Sequence, residues 1–140
     1  MTATVAETSV LEIAEMFFAG QDRLKGPFPP ELIAPGYRGE VAGYPPMDAD
    51  GHAAFARVFY AAFPDIRHTF DEIVATEDGA AVRFTLRGTH TADFMGIPPA
   101  GRAIAVPAVA LLTIVNGRVT HLRAMFDRFA LMQQLGVIPA

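Results

Sequence analysis

The stretch AIAVPAVALLTIVNGRVTHLRAMF, from Ala103 to Phe126, decides the fold. Ala103 to Val115 is apolar at nearly every position, the composition of a strand covered on both faces. Asn116-Gly117 supplies the two residues that a type I′ turn needs at positive φ, so Arg118 to Phe126 reads as the strand returning beside it. Upstream of it, Val82, Phe84 and Leu86 alternate with Arg83, Thr85 and Arg87. A first strand from Ile66 to about Thr76 precedes them across the turn Glu77-Asp78-Gly79. The result is a four-strand antiparallel meander.

Upstream of Asp65 the period becomes helical. Thr4-x-x-Glu7 and Ser9-x-x-Glu12 both fit a capping box ahead of Val10, Ile13, Ala14 and Phe17, which predicts an amphipathic helix to about Leu24. Gly26 to Asp48 is dense in Gly and Pro and reads as a structured loop, with a helical turn at Pro30 to Ile33. Asp50 is placed to cap a second helix carrying Phe55, Phe59, Ala62 and Phe63, which Pro64 stops. Past the meander, Arg128 to Leu135 reads as a short helix ended by Gly136. Helices gathered on one face of an antiparallel sheet make the class α+β. A curved sheet under one helical layer cannot fill its own concavity, so an apolar pocket is expected between them.

The 140 residues suit one domain over 1–140 with a single core. With 51% hydrophobic and 19% charged residues, apolar surface is left over for a cavity or an oligomer contact. A net charge of −4 without a basic run argues against nucleic acid as partner. The chain has no cysteine, which excludes thiolate metal sites and cysteine nucleophiles and makes a reducing compartment the default. Met1 to Ala14 carries Glu7 and Glu12 where a secretory leader carries cations, and no apolar run reaches membrane-spanning length, so a cytoplasmic protein without membrane contact is expected. Neither HExxH, GxGxxG nor a phosphate loop occurs, and neither metal nor other cofactor is expected.

GTHTADFMGIPPAGR (Gly88 to Arg102), with FPD before it (Phe63 to Asp65) and NGRVTHLRAMFDRFALMQQLG after it (Asn116 to Gly136), resembles the SnoaL-like polyketide cyclase family of the nuclear transport factor 2-like superfamily. The resemblance implies a cone of helices over a curved antiparallel sheet, and a cofactor-free intramolecular aldol condensation on a small apolar carbonyl compound. Homodimers or homotetramers through the outer sheet face are implied as well. Epoxide hydrolysis, ketosteroid-type isomerisation and ligand binding without chemistry occur on the same scaffold and stay open as alternatives. Hydrolysis would need a second carboxylate, for which Glu40 and Asp93 are the candidates.

The family's acid/base aspartate maps to Asp127, although its usual E-H-W-x-x-x-D reads here His121 to Asp127 with Arg123 in place of the aromatic. Ending an apolar strand, Asp127 would be a desolvated general base at the pocket floor, or else the N-cap of the closing helix. Arg123, His121 and Met125 share a strand face with it, and Arg123 would bind a substrate carbonyl or carboxylate if that face looks inward. His90, in Gly88-Thr89-His90-Thr91, would donate to an enolate oxygen or satisfy backbone groups where its strand ends. His68 stands where alternation calls for an apolar residue. Tyr37 and Tyr44 bring hydroxyls on the long loop, and Phe17, Phe59 and Met125 complete the apolar substrate contacts, in spacing that equally suits a core.

Overall fold

The computed structural model describes residues 9–139. Helix α1 spans Val10–Leu24, and Ser9 caps it through the reciprocal box with Glu12. The alternative box at Thr4 and Glu7 lies outside the described residues. A 3-10 turn at Pro30–Leu32 leads into strand β1, Ile33–Val41. Helix α2 covers Ala49–Ala62, strand β2 Arg67–Ala75, β3 Gly79–Thr89, β4 Ala103–Val115 and β5 Arg118–Phe126, and helix α3 closes the chain over Arg128–Gln134. The cap of α2 is Asp48, whose carboxylate accepts from the Gly51 N–H at 2.7 Å, and not Asp50, which lies inside the first turn.

The five strands run in the order β1-β5-β4-β3-β2. The β2 to β5 meander is antiparallel as expected, and Asn116 and Gly117 both take positive φ (51° and 77°) at its last turn. The sheet itself is mixed. Strand β1, expected as loop, pairs parallel to β5 along its edge, so the purely antiparallel expectation is corrected. Pro35 and Gly36 hide it: they break the alternation, and the register slips between the Ile33–Val119 and Arg38–His121 pairs. Such residues are tolerated on an edge strand, where one side of the backbone needs no partner.

The sheet's concave face carries Val82, Phe84, Ala110, Leu112, Ile114, Val119 and Leu122, packed against Ile13, Phe17 and Phe18 of α1. A second cluster joins Phe59 and Tyr60 of α2 and its C-cap Phe63 to Val106, Phe94 and Leu131. Each fully buried aromatic or branched side chain contributes roughly 1.5–3 kcal/mol. The expectation that β4 is covered on both faces is corrected within one protomer. Its burial alternates strictly, and Val109, Leu111 and Val115 are 42%, 51% and 51% exposed on the convex face.

Candidate active site

Between α1, α2 and the sheet lies an aromatic cavity of about 100 Å³. The strands give it only apolar walls from β3 to β5: Phe84, Leu86, Ala108, Leu122, Ala124 and Phe126. Its polar side chains come from elsewhere: Gln21 on α1, His52 and Tyr60 on α2, and His68 on β2.

His68 is the most constrained of these. Asp22, one helical turn past Phe18, meets it where α1 crosses β2. The Asp22 carboxylate accepts from His68 Nδ1 at 2.7 Å, from the His68 backbone N–H at 2.8 Å and from Tyr60 Oη at 2.6 Å. Burial first, then the Asp22 charge and hydrogen bond, push the Tyr60 hydroxyl far above its ordinary range, which keeps it a donor. An acceptor-only carboxylate against Nδ1 places the ring proton there, leaving the Nε2 lone pair free. Phe18 and Phe84 pack on the ring at centroid distances of 5.0 and 4.9 Å and fix its plane.

His52 forms a second pair. Its Nδ1 lies 2.9 Å from Tyr37 Oη. The buried phenol has no other acceptor among the described residues, so its proton is satisfied by donating to Nδ1, the tautomer that carries the imidazole proton on Nε2. Burial pushes His52 down to about 4, so the ring is neutral at pH 7, and burial raises Tyr37 well above its usual value. The strand beneath must come close: a Cβ on Gly39 would stand 2.6 Å from His52 Nδ1 and 3.2 Å from Tyr37 Oη. Neither Nε2 has a hydrogen-bond partner among the described residues, neither is among the sealed, unpaired atoms, and both rings line the cavity. The pair combines a lone-pair acceptor held by a carboxylate with a neutral N–H donor.

Of the residues singled out in the sequence, the cavity gathers His68 and Phe59, and Met125 borders it from the outward register of β5, opposite Val109 and 59% exposed. Tyr37 stands behind His52. Tyr44 packs edge-on against Phe55 at 4.7 Å beneath the Arg128 guanidinium, and Phe17 stacks on Phe28 at 3.7 Å in the core; neither lines the cavity.

Asp127 is exposed at the N-terminus of α3, accepts from the Ala130 N–H at 2.9 Å and does not line the cavity. The desolvated carboxylate expected at the pocket floor is therefore absent from this position: Phe126 takes the inward place and the chain turns into α3 after it. Arg123 is exposed in the outward register, opposite Leu111, so the substrate contact it would make if that face looked inward is not made. Its neighbour His121 pairs with Glu40 on the same outer face. His90 is fully buried, stacked on Phe63 at 5.1 Å, with both ring nitrogens unpartnered and away from the cavity. Neither role expected of it is seen: it does not line the aromatic cavity, and its ring satisfies no backbone group among the described residues.

Sequence reading passed over Asp22, Gln21, His52 and Tyr60. A signal existed for His52, which sits three and seven residues before Phe55 and Phe59 on the apolar face of α2. Asp22 follows Phe18 at a four-residue interval on α1.

The chain matches the family model of the SnoaL-like polyketide cyclases over residues 27–135. No curated protein matches it. Among solved structures it is similar to AclR of Streptomyces galilaeus, described as a candidate hydroxylase, with a TM-score of 0.82, 23% identity and coverage of 93% of this chain and 97% of that one. A candidate SnoaL-like polyketide cyclase of Jannaschia sp. CCS1 gives a TM-score of 0.78 at 24% identity over 99% of both chains. IdmH of Streptomyces antibioticus, a candidate polyketide cyclase, gives 0.75 at 29% identity over 96% of this chain and 100% of that one. The first two likenesses support the fold alone, while the family model spans most of the sequence and includes both the GTHTADFMGIPPAGR arm and the β4–β5 hairpin. With helices on one face of a five-strand sheet and that match in sequence, this chain belongs to the SnoaL-like polyketide cyclase family.

Proposed function

We propose that the protein catalyses cofactor-free acid/base chemistry on a small apolar carbonyl compound, an intramolecular aldol cyclisation, with His68 as general base. The observation that carries this reading is the Asp22–His68 pair, which holds the ring proton on Nδ1 and so leaves the Nε2 lone pair free on a ring that lines an aromatic cavity. His68 Nε2 takes the proton from a carbon flanked by carbonyls, and the His52 Nε2–H donates to the enolate oxygen as charge develops there. The carbanion attacks a further carbonyl carbon elsewhere in the same molecule, forming the C–C bond as that C=O π bond opens to an alkoxide. The imidazolium of His68 then returns its proton to the new alkoxide, so the reaction is balanced without any further reagent.

A neutral imidazole is the appropriate donor because it stabilises the enolate without releasing its proton to it, and burial keeps His52 in that form. Asp22 and Tyr60 act as positioning residues: the carboxylate fixes the His68 tautomer and stabilises the imidazolium, as the acid of a catalytic triad does. The cavity's 100 Å³ suits a group of about one ring, since ligand pockets for larger molecules run to roughly 300–1,000 Å³. The substrate is accordingly a compact β-dicarbonyl that carries a further carbonyl, or a longer molecule whose reacting end alone enters the cavity. Assay of ring closure with small β-dicarbonyls that carry a further ketone is the direct test. A His68→Gln variant that folds and keeps full turnover defeats the assignment.

The apolar convex stripe at Val109, Leu111 and Val115 favours assembly as a homodimer or homotetramer through that face. Sedimentation of a stable monomer at micromolar concentration would refute this part.

A further inference from the structure

Behind the Asp22–His68 pair, on the side away from the cavity, lies a groove of about 630 Å³ lined by Arg23, Lys25, Arg67 and Arg87, with Asp22 and Asp65 as its acids. Arg67 and Arg87 stand directly opposite each other on β2 and β3. Like charges in that position destabilise a strand pair. No ion pair among the described residues offsets them: those present involve His68, Arg83 and His121, and none includes any of the four cations of the groove. Both acids are already engaged. Asp22 accepts from Tyr60 and from His68 twice, and Asp65 accepts from the Thr89 N–H at 2.7 Å and its hydroxyl at 2.8 Å. These contacts, the Thr89 N–H foremost, hold the Asp65 carboxyl below its usual range, and Arg67 adds only a lesser long-range contribution.

We propose that this groove binds a phosphate group, with the Arg67 and Arg87 guanidiniums as its fork and Arg23 and Lys25 as flanking charges. Guanidinium pairs match the geometry of phosphate oxygens, and an excess of cations over acids in the groove favours a dianion over a single carboxylate. The volume exceeds what a bare phosphate fills, so the ligand class is a phosphate ester whose organic part lies along Pro64, Ala103 and Ile104. The inference is independent of the reaction assigned to the cavity, because the four cations it rests on do not line that cavity.

Calorimetric titration at low ionic strength with inorganic pyrophosphate and, separately, with ADP tests it. Saturable binding is expected for both, weakened at least tenfold in Arg67→Gln and Arg87→Gln and unchanged in Arg118→Gln, whose side chain lies on the β4–β5 turn outside the groove. Tighter binding of ADP than of pyrophosphate identifies an ester as the ligand, and equal binding identifies the inorganic ion. The double variant should melt no lower than the parent without anion, since removing the like-charge pair costs nothing, and should lose the rise in Tm that pyrophosphate gives the parent. Absence of saturable binding, or equal weakening in Arg118→Gln, overturns the proposal whatever the activity of the cavity variants.

Discussion

Asp22 and Asp127 are the two carboxylates with a claim on the chemistry of the aromatic cavity, and the fold treats them in opposite ways. Asp22 is set into the α1–β2 crossing, where its side chain is 16% exposed and two hydrogen bonds from His68 and one from Tyr60 hold it. Asp127 stands in solvent at the β5–α3 junction and accepts one backbone N–H. A carboxylate becomes chemically useful here through what it orients, because a buried histidine with a fixed tautomer carries the reactive lone pair into the cavity. The one at the strand end organises a helix.

The sharpest way to break this contrast is to remove the base and its orienting acid. His68→Gln keeps a polar side chain near Asp22 and should lower kcat by about 10²–10⁴-fold, the usual contribution of a positioned general base. Asp22→Asn should cost nearly as much while leaving the ring present, because the amide no longer selects the Nδ1–H tautomer. Its signature is a fall in kcat with KM nearly unchanged, a split that loss of packing around the cavity alone would not produce. Unchanged kcat in both variants would return the base role to another residue.

His52 offers a test in stability as well as in rate. Its pKa falls from 6.5 in the unfolded chain to about 4 in the fold. Between these values the unfolded state binds the extra proton, so stability is fully present above about pH 6.5 and declines as the pH drops toward 4. Each pH unit across that window is worth about 1.4 kcal/mol, and the decline reaches roughly 3 kcal/mol at its acid end. Urea melts from pH 4 to 8 should show it in the parent and lose most of it in His52→Gln. Gly39→Ala acts on the same pair through space: its Cβ would approach His52 Nδ1 to 2.6 Å and force the ring off Tyr37. We expect a loss of about 1–3 kcal/mol, the range for an overpacked core, together with a lower kcat. A fully active, equally stable Gly39→Ala would show that the Tyr37–His52 geometry is not needed.

The strands β2 to β5 and helices α1 and α2 could be read from the sequence because periodicity and turn chemistry act locally. Asn116-Gly117 needs no knowledge of the rest of the chain to form its turn. Strand β1 could not, since Pro35 and Gly36 disguise it and its pairing with β5 joins Arg38 to His121 across most of the chain. The site was hidden for a related reason. Asp22, His52 and His68 come from three elements, and only the crossing of α1 over β2 makes Asp22 a partner of His68. Alternation did mark His68 as a polar residue at an apolar position. The family motif drew attention to Asp127 and His90 instead, and sequence alone does not say that the strand turns away after Phe126 or that His90 is enclosed beside Phe63.

The smallest effect belongs to Asp127, and it separates the two carboxylates most directly. Asp127→Asn keeps a side-chain oxygen for the Ala130 N–H and should change stability by a few tenths of a kcal/mol at most, because Asn and Asp cap helices about equally well. Asp127→Ala removes the acceptor and should cost about 0.5–2 kcal/mol, visible as a lower urea midpoint with unchanged slope. If the carboxylate only caps α3, both variants retain kcat and differ from each other in stability alone. If it is the base that the family motif implies, both lose kcat alike despite that difference in stability. Measuring the two quantities on the two variants therefore tells a cap from a base, since a cap is sensitive to the loss of the oxygen and a base to the loss of the charge.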